Sequence, residues 1–267
     1  MNEIYIDIEN TSVIQNQIDK IKLDDDVEIN VIRDDLLIGG TKQRGLVGYM
    51  NSCPYSEFVY SYEGFAQISL AQSAKLTGKS CTLFVPKLRR DSIFTRVAES
   101  MGAKIVRIRG GYQRYIQTIT EKYVNEHENS VLLPFGCNNR FYKDELYQNI
   151  KKSILNELTP LRIWIACGSG TTLTVLSEIF PDTHFCLVEI GKHVDIPQSL
   201  RSRVSVFKAV EGFHEKCTTP PPYPSLSTYD GKVWQFVIQF GRNGDYIWNQ
   251  APPVGLINEP VDAIVNE

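Results

Sequence analysis

Three short stretches of this chain place reactive or charge-binding groups directly behind turns. In "RDDLLIGGTKQRGL", residues 33–46, Lys42 follows two glycines and a threonine where a helix begins. A helix N-terminus disfavours a cation, and a neutral amine is a nucleophile towards aldehydes. Taken singly, such a lysine is more often a solvated surface charge. In "IACGSGTT", residues 165–172, a strand runs into a glycine turn and a helix follows. Unpaired N–H groups at a helix start favour an anion. Gly168 and Gly170 allow close backbone approach, and Ser169, Thr171 and Thr172 add hydroxyl donors. The stretch has neither the GK[ST] of a P-loop nor the GxGxxG of a dinucleotide fingerprint. In "STYDGKVWQF", residues 227–236, Tyr229 and Asp230 leave a proline-rich loop for a helix that Asp230 is placed to cap.

An amine for an aldehyde, a cradle for a phosphate and a carboxylate for a ring nitrogen are together what pyridoxal 5'-phosphate (PLP) requires. "RDDLLIGGTKQRGL" resembles the lysine segment of the 1-aminocyclopropane-1-carboxylate (ACC) deaminase and D-cysteine desulfhydrase group. That group lies within the tryptophan-synthase-β-like, fold type II, PLP enzymes. "CGSGTT" resembles its phosphate loop, "TYDGK" its VYEGK or VYTGK segment, and "LLPFGCNN" its IPxGGSN strand end. The similarities fall in the same order over most of the chain. The resemblance implies that Lys42 forms the Schiff base and that Gly168 to Thr172 hold the phosphate. It also implies that Tyr229 lies near the ring and that Asp230 faces the pyridine nitrogen. A carboxylate there keeps the nitrogen protonated, which favours a quinonoid and chemistry at Cα, with the released Lys42 amine as proton carrier.

The loop that contacts substrate in the group departs from its pattern. Here it reads "YSYEGFAQISLA", residues 60–71, with Gly64 where a serine is expected and Phe65 where an asparagine is expected. Glu63, Tyr62 and Gln67 are its polar groups. The departures weigh against deaminase or desulfhydrase activity and leave cofactor binding in place. The altered loop, the short chain and the tail "NGDYIWNQAPP" are similar to compact bacteriophage PLP enzymes that hypermodify thymine in DNA. In that setting the substrate is a glycine carbon-linked to the thymine methylene. Its decarboxylation leaves an aminoethyl base that evades host restriction. Lys87, Arg89, Arg90, Arg107 and Arg109 would then line a groove for DNA phosphates. A lyase or deaminase of a small free amino acid is the alternative. A catalytically degenerate PLP-binding regulator is a third reading, from outside the enzymes.

Positioning these groups requires a scaffold. Short β-branched runs such as "VEINVIR", "SCTLFVP", "AKIVRIRG", "LRIWIACGSG", "THFCLVEIG" and "RVSVFKAV" alternate with helical patterns. This predicts an α/β protein with two open, mostly parallel sheets and the cofactor between them. The smaller domain is expected over 57–136, inserted in a larger one formed by 1–56 and 137–267. In "FAQISLAQSAKLTG", Phe65, Ile68, Ala71 and Leu76 are expected towards one face, with Gly78 as the stop.

The 267 residues are 42% hydrophobic with a net charge of −3, enough for a sizeable core and without the footprint of a strong nonspecific nucleic-acid binder. The six cysteines form no CxxC pair, and four scattered histidines lack ligand spacing, so no metal is expected. "MNEIYIDIEN" has no apolar core of a signal peptide, and no apolar run approaches membrane-spanning length. A cytoplasmic protein is expected, in the host cytoplasm if phage-encoded, with no membrane partner and with a homodimer as a permitted assembly.

Overall fold

A computed structural model describes residues 17–153 and 157–257. The acidic N-terminal decapeptide lies outside the described residues. The larger sheet begins with a hairpin, β1 (Ile18–Lys22) and β2 (Glu28–Arg33), the one antiparallel pairing in the two sheets among the described residues. Helix α1 (Gly40–Ser52) follows. The chain then builds a smaller sheet from β3 (Glu57–Tyr60), β4 (Ser80–Pro86), β5 (Lys104–Ile108) and β6 (Ser130–Leu132). Helices α2 (Ala66–Thr77), α3 (Ile93–Ser100) and α4 (Gln113–Asn125) connect them. It returns through α5 (Arg140–Lys152), β7 (Arg162–Cys167), α6 (Thr171–Ile179), β8 (His184–Glu189) and β9 (Val204–Lys208). A long loop leads to a 3-10 turn at Asp230–Val233, then α7 (Trp234–Phe240) and β10 (Tyr246–Asn249).

The smaller sheet is wholly parallel, in the order β5-β4-β3-β6. The larger runs β1-β2-β10-β7-β8-β9. The expected α/β architecture with two mostly parallel sheets is therefore present. Neither β1 nor β10 is evident in the periodicity of the sequence. β10 is the last strand described, yet it lies between β2 and β7 in parallel register with both.

The parallel strands are apolar almost throughout, as covering both faces with helices demands. β7 is buried from Ile163 to Cys167, and β8 from Phe185 to Glu189. Helix α2 differs from the expected one-sided pattern. It is buried from Gln67 to Ala74, on every face, whereas Leu76 is exposed. Its interior polar groups find local partners: Ser73 donates to Ser69 O at 2.7 Å, and Thr77 to Ser73 O at 2.8 Å. The helix stops at Gly78 in the left-handed conformation, as expected.

Each sheet has a point where strand order reverses, which in open parallel sheets is where a crevice forms at the carboxyl ends. In the smaller sheet this is between β3 and β6. In the larger, the outward run β7-β8-β9 starts beside β10. The segments leaving β2, β3, β6, β7 and β10 all reach a single cavity of about 990 Å³. Among the described residues no helix is long and apolar enough to cross a membrane.

Candidate active site

Lys42 sits in the first turn of α1 and lines this cavity. Its position is set by "RDD". Arg33 holds Asp35 through two bonds, at 2.8 and 2.7 Å, and also pairs with Asp19 of the hairpin. Asp34 is fully buried and accepts from both sides of Lys42: from Thr41 Oγ1 at 2.7 Å, and from Arg44 Nε and Nη2 at 3.0 and 2.7 Å. Trp248 of β10 donates to the same carboxylate at 3.0 Å. Four charge-assisted bonds on one buried carboxylate make this a rigid clasp.

The "GG" has an equally specific cause. Gly40 has φ +60, and a Cβ there would lie 2.1 Å from the Gln250 carbonyl oxygen, which accepts from Thr41 N at 2.8 Å. Only glycine lets α1 start against the end of β10. Gly39 is gripped by Ser69 Oγ, which donates to its carbonyl at 2.7 Å, and by Gln43 Oε1, which accepts its N–H at 2.8 Å.

The glycine turn expected to hold an anion follows β7. Gly168 and Ser169 line the cavity; Gly170 has φ +80 and caps α6; Thr171 and Thr172 are buried in the first turn behind it. Ser169 Oγ and Thr171 Oγ1 are 3.1 Å apart. Gly136, from the end of β6, packs so closely here that a Cβ would come within 2.1 Å of Ser169 Oγ. The next residue, Cys137, holds a left-handed φ of 57 although it is not glycine, a costly conformation found mostly at functional sites.

Tyr229 lines the cavity and donates from its hydroxyl to Ala166 O at 3.3 Å. Asp230 is placed differently from expectation. It makes no cap bond to the helix, and it lies behind the cavity wall rather than on it, 2% exposed. The wall in front is Gln250, whose amide donates to Ala166 O at 2.7 Å and to Asp230 Oδ1 at 3.2 Å. Asp230 Oδ2 has no hydrogen-bond partner. Burial pushes this carboxyl up to about 8, against the opposing pull of Gln250 and the Lys42 charge. Burial also pushes Cys137 up to about 11, and again the Lys42 charge opposes it.

The loop expected to contact substrate is divided. Glu63, Gly64 (φ +118) and Phe65 line the cavity, whereas Gln67 does not. Its amide is occupied by the Tyr62 carbonyl at 3.2 Å and the Thr95 hydroxyl at 2.8 Å, so Gln67 fixes α2 to α3. Tyr62 OH is likewise taken by Gln117 at 2.7 Å. Of the five basic residues expected along a groove, only Arg90 lines the cavity; Arg107 is bound to Asp91 and Glu99. Gln250 and Lys216 are lining residues that sequence reasoning passed over. Neither stands in a recognisable motif.

No protein-family model matches the chain, and neither does any curated protein. Solved structures do. An ACC deaminase homologue superposes with a TM-score of 0.69 over 89% of each chain, at 14% identity. The O-acetylserine dependent cystathionine β-synthase of Helicobacter pylori gives 0.64 over 91% of this chain and 93% of that one, at 16% identity. Diaminopropionate ammonia lyase of Escherichia coli gives 0.63 over 92% and 85%, at 11% identity. What these chains share with the present one is the fold, the expected fold type II architecture.

Proposed function

We propose that the chain is a PLP-dependent enzyme acting at Cα of an amino-acid-type substrate. The observation that carries this reading is the meeting of Lys42 and the Gly168–Ser169 turn on one cavity, with a buried carboxyl behind its wall that has an unpartnered oxygen. The residues fit the cofactor. Lys42 would take its aldehyde, Gly168 to Thr172 its phosphate, Tyr229 the neighbourhood of its ring, and Asp230 with Gln250 its nitrogen. An orphaned oxygen in a fully buried carboxyl is otherwise costly.

Bound there, the cofactor supplies an electrophilic carbon for amines and a sink for electrons left at Cα. The chain does the rest. Lys42 Nζ would accept or return the proton at Cα. Burial favours the protonated form of Asp230, and its Oδ2 has no other hydrogen-bond partner. Phe65, Phe94, Leu226 and Val254 give the cavity an apolar side that excludes water.

Within this class we favour decarboxylation of a glycine unit carbon-linked to thymine in DNA, leaving an aminoethyl base. The support is the room available. A cavity of about 990 Å³ is at the upper end for small-ligand sites, and the Glu63–Phe65 loop offers one charged group to a substrate. The alternative is a lyase or deaminase of a small free amino acid. The reactions named for the H. pylori and E. coli neighbours support it.

The test is the visible spectrum of the purified protein given PLP, wild type against Lys42→Ala, with borohydride reduction and peptide mapping. The reading requires a yellow protein whose label maps to Lys42. A protein that takes up no cofactor refutes it. Loss of carbon dioxide from a glycyl-thymine oligonucleotide, seen by mass, separates the favoured substrate from the alternative. No turnover of either substrate by a yellow protein would leave the regulator.

A further inference from the structure

The cavity lining carries more cationic than anionic side chains in a chain whose net charge is −3. Its lining carries four cations, Lys42, Arg90, Arg96 and Lys216, against one carboxylate, Glu63. Lys42 is committed to the cofactor, whose phosphate has its own turn at Gly168–Ser169. An α-carboxylate satisfies one guanidinium. Arg90 and Lys216 are both exposed and have no ion-pair partner among the described residues, so the site holds more positive charge than an amino acid needs. A low-dielectric cleft lined by one sign of charge focuses the field on a ligand of the other.

Beside these cations stands an exposed ring. Phe213 lines the cavity and is 42% exposed. It is held between two glycines. A Cβ on Gly191 would come within 2.9 Å of it, and one on Gly64 within 3.9 Å. The segment carrying Phe213 and Lys216 is firmly anchored. Lys232, fully buried, donates to Gly212 O at 2.8 Å, and Cys217 N bonds Ser227 O at 2.8 Å. Burial of Glu211 is outweighed by bonds from Thr218 and Gln235, which hold its carboxyl down at about 2. An anchored aromatic ring on the same cavity as two cations without ion-pair partners suits a flat base joined to a phosphoester.

We infer that the cavity mouth recognises a nucleotide unit, with Phe213 stacking on a base and Arg90 and Lys216 gripping phosphate. This rests on the proposed function for what happens deeper in the site, but it is tested separately. PLP-loaded protein is titrated into a fluorescein-labelled, unmodified oligothymidylate, and anisotropy is read over a range of salt. Thymidine monophosphate serves as competitor. Arg90→Gln/Lys216→Gln is expected to weaken binding at least 10-fold and to lower the salt slope by about 1.4, at roughly 0.7 per phosphate on single strands. Phe213→Leu is expected to weaken it by about 5- to 100-fold without changing the slope.

Competition by the mononucleotide identifies a free nucleotide as sufficient; binding of the oligomer alone identifies a polynucleotide. If neither ligand binds, or if both variants bind as wild type does, the inference is overturned. The cofactor band is recorded in the same samples. A normal band without nucleotide binding defeats the inference alone. A colourless wild type defeats the proposed function, while the anisotropy still decides the inference.

Discussion

Replacing Asp230 by asparagine tests the electrostatics of the site without cofactor or substrate. The carboxyl is 2% exposed, and burial raises it from an ordinary 3.8 to about 8. The folded protein thus binds a proton that the unfolded chain releases between those values. Its stabilising contribution is fully present below about pH 4 and is lost as pH rises through 8. One pH unit is worth about 1.4 kcal/mol, so the loss over the window has a ceiling on the order of 6 kcal/mol. The amide of Asp230→Asn cannot ionise and keeps the neutral shape. The variant should lie within about 1 kcal/mol of wild type near pH 4.5 and become the more stable of the two by several kcal/mol near pH 8. The assay is thermal unfolding of cofactor-free protein by circular dichroism from pH 4.5 to 8.5, both proteins in parallel. Every other titrating group is common to the pair, so their difference isolates Asp230. Curves that stay parallel through that window would refute the argument, and with it the burial of a protonated carboxyl behind Gln250.

Three further outcomes follow from the same geometry. Gly40→Ala, with Cβ 2.1 Å from the Gln250 carbonyl and φ +60, should displace the start of α1. It should cost about 1–3 kcal/mol in stability and abolish cofactor uptake by absorbance. Asp34→Ala strands the buried Arg44 charge and should destabilise the fold by about 3–5 kcal/mol in denaturant unfolding. Gly136→Ala should push Ser169 out of the cradle, weakening PLP affinity in titrations while Lys42 remains reducible at saturating cofactor.

The parts of the fold legible in the sequence are those governed by local pattern. The parallel strands announce themselves because "LRIWIAC" and "HFCLVE" are apolar on both faces, and Lys42 falls on a helix start because "GGTK" is local turn chemistry. β10 is hard to see because "YIWN" is four residues long and ends in a buried asparagine. Asn249 is tolerated at the core because Ser225 and the Pro224 carbonyl bond it, at 2.9 and 2.7 Å. Such partners are set by tertiary structure. The same holds for Gln67 and Arg107, which the sequence offers as ligand-facing groups. Their bonds go to Thr95, and to Asp91 and Glu99, which no spacing rule connects to them. Asp230 is legible as an acid of the right segment, but Gln250, twenty positions on, decides what it faces.

The insertion of β10 between β2 and β7 has a consequence for synthesis on the ribosome. Asp34 and Arg44 emerge early, but Trp248, which donates to Asp34, and the Gln250 carbonyl, which receives Thr41, follow more than 200 residues later. Until then the β1–β2 hairpin and the β7–β9 group have no strand to join them, and the start of the helix bearing Lys42 lacks the Gln250 carbonyl it abuts. A nascent chain can complete the strands of its smaller sheet while the surroundings of Lys42 are still unassembled. The Lys42 surroundings are completed in one late step, so under the proposed function an immature chain would not sequester a scarce aldehyde in a half-built pocket.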